Sequence, residues 1–156
     1  MLTHLKFMKK HILSLIVFLI LITSCQKDDF CIDETTPQLI IRFYDNDEPT
    51  EYKSATGLYV WANELDTIYN NVSTDSIAIP LNPSLDLTVY HLSSETIEDE
   101  LTINYSRKEV YVSRSCGFKY NFENINLSGI TNNWILNTEV TNQTVENETE
   151  HVKIFH

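Results

Sequence analysis

From Gln38 to the C-terminus, apolar residues return at every second position and rarely at helical spacing. Leu39, Ile41 and Phe43 set the pattern; Ile77, Ile79 and Leu81 repeat it, and Leu101 and Ile103 repeat it again. In an extended chain alternate side chains share a face, so this period confines the chain to sheets with one apolar side. The spacing predicts strands over 38–44, 58–63, 66–70, 75–81, 85–92 (alternating through Leu85, Leu87 and Val89), 98–105 and 110–114. The last of these is prolonged by Phe118, Tyr120 and Phe122, with Gly117 marking a bulge or bend. A closing hairpin of 134–141 and 151–155 flanks polar 142–150. Asp45-Asn46-Asp47-Glu48-Pro49, Asn82-Pro83-Ser84 and Ser106-Arg107-Lys108 read as turns, 124–133 as a loop, and 94–100 also suits a helical turn. Eight or nine short strands so spaced point to an all-β fold, an antiparallel β-sandwich, immunoglobulin-like or related. With three glycines in the chain, its turns rely on Asn, Asp, Ser and Pro.

The first 24 residues follow a different rule. Lys6, Lys9 and Lys10 precede an apolar run over 12–22, too short to span a bilayer comfortably at about 20 residues. A basic start, a short apolar core and small residues before a cut form the secretory pattern. Ile22-Thr23-Ser24-Cys25 resembles the bacterial lipobox, in which small residues admit the peptidase and the Cys25 thiol takes the diacylglyceryl thioether. The expected organisation is a signal peptide over 1–24, a lipidated cysteine and tether over 25–37, and a β-sandwich domain over 38–156. Lys27-Asp28-Asp29 resembles the surface-export signal of Bacteroidota lipoproteins and also suits a solvated linker. The expected location is therefore the outer membrane, lipid-anchored and surface-exposed, with a periplasm-facing anchor as the alternative.

Three of the 11 lysines and arginines lie in the leader and none of the 22 acids does, so the remaining 132 residues carry a formal charge of −14. That balance argues against nucleic acid and against binding anionic lipid heads. With Cys25 assigned to lipid, Cys31 and Cys116 remain in an oxidising compartment. Pairing them leaves no odd thiol and closes a loop of 85 residues, worth roughly 4–5 kcal/mol on the chain-entropy model. Two unpaired buried thiols are the alternative.

Asp45, Asp47 and Glu48 invite a calcium reading, but Pro49 and Thr50 stand where an EF-hand loop needs a ligand and a glycine. They read as a solvated acidic turn, and no metal or other cofactor is expected. Ser115-Cys116 with His91 or His151 lacks a local nucleophile signature; His151 reads as an edge residue. No catalytic residue is assigned. Tyr59 and Trp61 share a strand face opposite Leu58 and Val60, either covered or free to meet a sugar ring or a protein. Asp66-Thr67-Ile68 and Asp75-Ser76-Ile77 resemble the Bacteroidota O-glycosylation sequon, with Thr67 and Ser76 as acceptors, and equally suit strand starts.

Longer pieces carry a family resemblance. Asp29-Phe30-Cys31, Thr35-Thr36-Pro37 leading into 39–45, Thr74-Asp75-Ser76-Ile77 with Pro80-Leu81, Val112-Ser113-Arg114-Ser115-Cys116-Gly117 and His151-Val152-Lys153-Ile154 resemble an uncharacterised lipoprotein family of Bacteroidota. The resemblance implies a small anchored β-domain and supplies no activity, cofactor or catalytic set. The functional expectation is a lipid-anchored envelope domain that binds or scaffolds, partnered by the membrane and by an envelope protein or glycan. The alternative is a glycan-processing or other hydrolytic enzyme, which needs paired carboxylates in one pocket; Glu98, Asp99 and Glu109 are the candidates, although Glu98 and Asp99, adjacent on an extended strand, point to opposite faces and cannot pair with each other.

Overall fold

The computed structural model describes Cys31, residues 36–63 and residues 65–156. The expected signal peptide, Cys25 and most of the expected tether lie outside the described residues. Those from 36 onward form nine strands and no helix: β1 Leu39–Tyr44, β2 Ala55–Ala62, β3 Leu65–Thr74, β4 Ser76–Ile79, β5 Leu87–Ser94, β6 Ile97–Ser113, β7 Gly117–Ser128, β8 Asn137–Val140 and β9 Glu150–Phe155. They build two sheets, β4-β1-β9-β8 and β3-β2-β5-β6-β7. Every pairing is antiparallel except β1 with β9.

Alternation decides the layers. Leu39, Ile41 and Phe43 of β1, Ile77 and Ile79 of β4 and Ile154 of β9 face inward from the smaller sheet. Leu58 and Val60 of β2, Tyr90 and Leu92 of β5, Leu101 and Ile103 of β6 and Phe122 of β7 meet them from the larger one. All are essentially without solvent contact, so one β-sandwich core serves both sheets. At about 2 kcal/mol for a buried aliphatic or aromatic side chain, this core is the main favourable contribution to folding.

Several expectations need correction. Ser106-Arg107-Lys108 is no turn: β6 runs straight through it, opposite Glu123, Phe122 and Asn121 of β7. Ion pairs of Arg107 with Asp86 at 2.9 Å and of Lys108 with Glu123 at 2.7 Å satisfy these polar residues on an exposed strand. Residues 124–133 are strand as far as Ser128. A register shift beside Asn124, which holds φ 59°, swings Ile125 into the core and lets pairing resume at Asn126. The suggested helical turn over 94–100 is a hairpin tip, with Glu95 at φ 56° and its N–H donated to the Gly57 carbonyl. In the fifth strand Tyr90 and Leu92 take the inward face, leaving Leu85 and Leu87 exposed. The Tyr90 hydroxyl, hydrogen-bonded to the Pro80 carbonyl, fixes that choice. Strand β8 begins only at Asn137, because the N–H groups of Trp134 and Ile135 are donated to a carboxylate instead of a neighbouring strand.

His151 is not an edge residue. Strand β9 lies inside its sheet, between β1 and β8, and the side chain is wholly buried. The β1–β9 register jumps from Ile40↔Glu150 to Ile41↔Val152, so His151 sits on a bulge. Its Nδ1 accepts the Ile40 N–H at 3.1 Å, replacing the ladder acceptor that the bulge removes. Nδ1 must therefore be unprotonated and the ring neutral; Nε2 has no hydrogen-bond partner. Burial pushes the His151 pKa below the ordinary 6.5, opposed by the nearby Thr144 backbone. The unfolded chain thus takes up a proton near pH 6.5 that the folded chain refuses. The stability tied to neutral His151 is complete above about pH 6.5 and is lost as pH falls towards the lowered folded value. Urea midpoints measured from pH 7.5 to 5 should fall, with a slope approaching 1.4 kcal/mol per pH unit for each such group. His156, shifted the same way by burial, contributes in the same window. His151→Asn, which keeps an acceptor near Ile40, should flatten the curve; an unchanged slope would show that the neutral ring is not its source.

Candidate functional site

Because Leu58, Val60 and Ala62 are committed to the core, Tyr59 and Trp61 of β2 must point outward. The β2–β5 register places Tyr59 opposite Ser93 and Trp61 opposite His91. The β5–β6 register then sets His91 against Glu100 and Ser93 against Glu98. The outer surface of the larger sheet thereby acquires an ordered polar–aromatic patch.

Its centre is a stack. The Trp61 indole and the His91 imidazole lie 5.2 Å apart with planes 9° from parallel. Both nitrogens of His91 are occupied: Nδ1 is 2.8 Å from Glu98 Oε1 and Nε2 is 2.8 Å from Asn63 Oδ1. A ring held at both edges and covered on one face keeps the indole in a fixed plane. Trp61 is half-buried, with Glu98 exposed beside it. A cavity of about 130 Å³ adjoins the patch, walled by Asn63, Leu85, Leu87 and Val89 with Asn82 at its rim. The exposed Leu85 and Leu87 continue the apolar strip away from the stack.

The opposite side of β6 explains why the patch is rigid. Asp99, next to Glu98 in sequence, faces inward and is wholly buried. One carboxylate oxygen accepts the Thr131 hydroxyl and the Asn133 N–H, both at 2.6 Å; the other accepts the N–H groups of Trp134 and Ile135, both at 2.8 Å. Burial pushes its pKa up, but the four donors outweigh this and hold it below 3.8. Thr131 in turn accepts the Glu100 N–H, Asn133 donates to the Glu98 carbonyl and the Trp134 indole donates to Leu92. The segment after β7 is thus tied to the backbone that carries Glu98 and Glu100.

Of the residues singled out from sequence, the structure gathers Tyr59 and Trp61 on one face and adds His91, Asn63 and Glu98. Cys25 is outside the described residues. Cys31 and Cys116 are both disulfide-bonded, which removes Cys116 as a nucleophile. His91 and His151 belong to different sheets. Thr67 is exposed on β3, an edge strand, and Ser76 is partly covered at the start of β4. The candidate carboxylates are kept apart: Glu98 faces out, Asp99 is sequestered, and Glu109, 3.4 Å from the Tyr120 hydroxyl, lies further along β6. In the acidic turn Asp45 accepts the Asp47 N–H and pairs with Lys53 at 3.5 Å. Among the described residues no group of three His, Cys, Asp or Glu is placed to hold a metal ion. His91 was legible only as an isolated histidine, and its role rests on a register between strands about thirty residues apart.

Sheets, core and outer patch together define a nine-stranded β-sandwich domain with an aromatic–polar sheet face. The chain belongs to the Family of unknown function (DUF6452), whose model matches residues 57–156. The match begins inside β2, although β1, upstream of it, lies between β4 and β9 in the smaller sheet. No curated protein and no solved structure matches the chain.

Proposed function

We propose that this protein is a lipid-anchored envelope domain that binds a glycan on the outer face of its larger sheet and does not transform it. The observation that carries the reading is the Trp61–His91 stack, immobilised at both imidazole nitrogens by Glu98 and Asn63. A flat indole beside an amide and a carboxylate suits a sugar ring, whose C–H face packs on the aromatic while its hydroxyls find the polar groups. Tyr59 and Ser93 extend the same chemistry along the strands.

Anchoring rests on the leader and on Ile22-Thr23-Ser24-Cys25, and display at the cell surface rests on Lys27-Asp28-Asp29. Thr67 is the better glycan acceptor of the two sequons, since a sugar there would also shield an open sheet edge.

Titration of tryptophan emission with neutral oligosaccharides tests the binding face. Trp61→Ala should weaken binding about tenfold or more, the ~1.4 kcal/mol expected of a lost stacking partner. Its melting temperature should stay within a few degrees, because the side chain is outside the core. Binding that survives Trp61→Ala unchanged, or no saturable signal with any glycan, would remove this reading.

A further inference from the structure

The distal half of the β6–β7 hairpin leaves the sandwich. Along β6 the buried positions end at Tyr105, and from Ser106 to Ser113 no side chain is buried. At about 3.3 Å per residue this is a two-stranded arm of ~25 Å. Arms of this kind are marginal on their own, yet this one is held at several points. Tyr120 donates its N–H to Thr36 at 3.2 Å, and Phe122 exchanges two backbone hydrogen bonds with Val145. Cys116, in the tip that Gly117 closes with φ 73°, is disulfide-bonded.

The tip displays Tyr111 and Phe118, 57% and 60% exposed and packed edge to face at 5.4 Å. Two large aromatics so exposed at the end of an arm support no core. Their surroundings are basic in an acidic protein. Of the eight lysines and arginines that follow residue 24, Arg107, Lys108, Arg114 and Lys119 fall within residues 106–120, where Glu109 is the sole acid; Arg107 and Lys108 are paired with Asp86 and Glu123, and exposed Arg114 lies nearest the tip.

We infer that this arm is a second membrane contact: Tyr111 and Phe118 enter the interfacial layer of the bilayer that holds the Cys25 lipid, with Arg114 against its phosphates. The inference rests on the lipid-anchor reading. Cys31 stands six positions after Cys25, a reach of at most ~20 Å even when fully extended. The Cys31–Cys116 disulfide hands that limit to the arm's tip, so the aromatic pair cannot stray far from the surface in which the lipid is buried. Aromatic rings favour that interface, and cationic side chains at its edge extend towards the headgroups. The acidity of the remaining surface opposes any other face lying down on an anionic bilayer, which orients the molecule arm first.

The full acylated protein is reconstituted in vesicles of phosphatidylethanolamine and phosphatidylglycerol, with and without lipids brominated near the headgroup. Phe118→Trp adds an emitter at the tip, and Tyr111→Trp repeats the measurement should the first variant misfold. The emission added by either substitution should fall at least twofold in brominated vesicles, while that of Trp61 and Trp134 in the parent protein stays nearly constant. Intact mass of the same sample reports the acyl chains. Acylated protein without quenching overturns the arm's membrane contact and leaves the anchor standing. Protein without acyl chains overturns both. Unquenched emission that instead depends on protein concentration would assign the tip to a second copy of the chain and overturn the contact with lipid.

Discussion

Asp99→Ala should lower the melting temperature by about 15–20 °C and cost on the order of 4–6 kcal/mol. The substitution removes one carboxylate and strands the two buried N–H groups of Trp134 and Ile135, together with the partly buried Asn133 N–H and Thr131 hydroxyl. Each unsatisfied buried donor costs roughly 1–3 kcal/mol, and the two partly buried ones add less because water can reach them. Against a total stability of about 5–15 kcal/mol for a domain, this is the most damaging single truncation among the described polar residues. Asp99→Asn separates charge from shape. It keeps the volume and one acceptor oxygen but turns an amide NH₂ towards two N–H donors, so it should retain less than half of the lost stability. A variant within about 1 kcal/mol of the parent in urea titration would show that the four donors are satisfied elsewhere.

The same carboxylate sets the acid limit. Its folded pKa lies below the ordinary 3.8, so its contribution is complete above about pH 4 and disappears as pH falls through the folded value. Going down in pH, His151 weakens the fold first, below about 6.5, and Asp99 releases last. Loss of the clamp should also disturb the outer face before global unfolding. Thr131 and Asn133 hold the backbone of Glu100 and Glu98, and Glu98 fixes His91 beneath Trp61. A fall in ligand affinity that precedes unfolding on acidification would be the visible result.

The clamp also shows where sequence reasoning stops. Alternation along each strand is local, so the inward faces of β1, β4 and β6 were legible, as was the pairing of Tyr59 with Trp61 on one side of β2. That Glu98 and Asp99 point to opposite faces also followed from the period of two. What Asp99 does there did not, because its four donors stand 32–36 residues away and three are backbone groups, which no side-chain pattern advertises. Ser106-Arg107-Lys108 misled for a related reason: turn-forming residues become strand when a partner strand and facing charges exist, and Asp86 and Glu123 are supplied by tertiary structure. Leu85 and Leu87 show the limit of hydrophobicity itself. With Tyr90 and Leu92 offering an equally apolar face, the packing of the opposite sheet and the Tyr90–Pro80 hydrogen bond decided which side went in. His151 sits on a bulge, and a bulge reverses the face that alternation assigns.

Cys25→Ser should move the protein from the envelope pellet to the soluble fraction, the largest change any single substitution here would produce. Each buried methylene of an acyl chain contributes about 0.8 kcal/mol, so two or three chains hold a protein of this size effectively permanently. What remains after the sulfur is replaced is weak by comparison. Two exposed aromatics and a few cations on the β6–β7 arm would act alone, and the formal charge of −14 over residues 25–156 repels an anionic surface. On the proposed reading the aromatic tip would orient an anchored molecule without being able to retain an unanchored one. Fractionation of cells carrying Cys25→Ser, with the intact mass of both forms, checks each step. The parent should carry acyl chains and sediment; the variant should lack them and stay in solution at ordinary ionic strength. Sedimentation of the variant that salt abolishes would mean the arm's cations bind more strongly than their number suggests. Sedimentation that resists both salt and the loss of the thiol would place the source of membrane attachment somewhere other than Cys25.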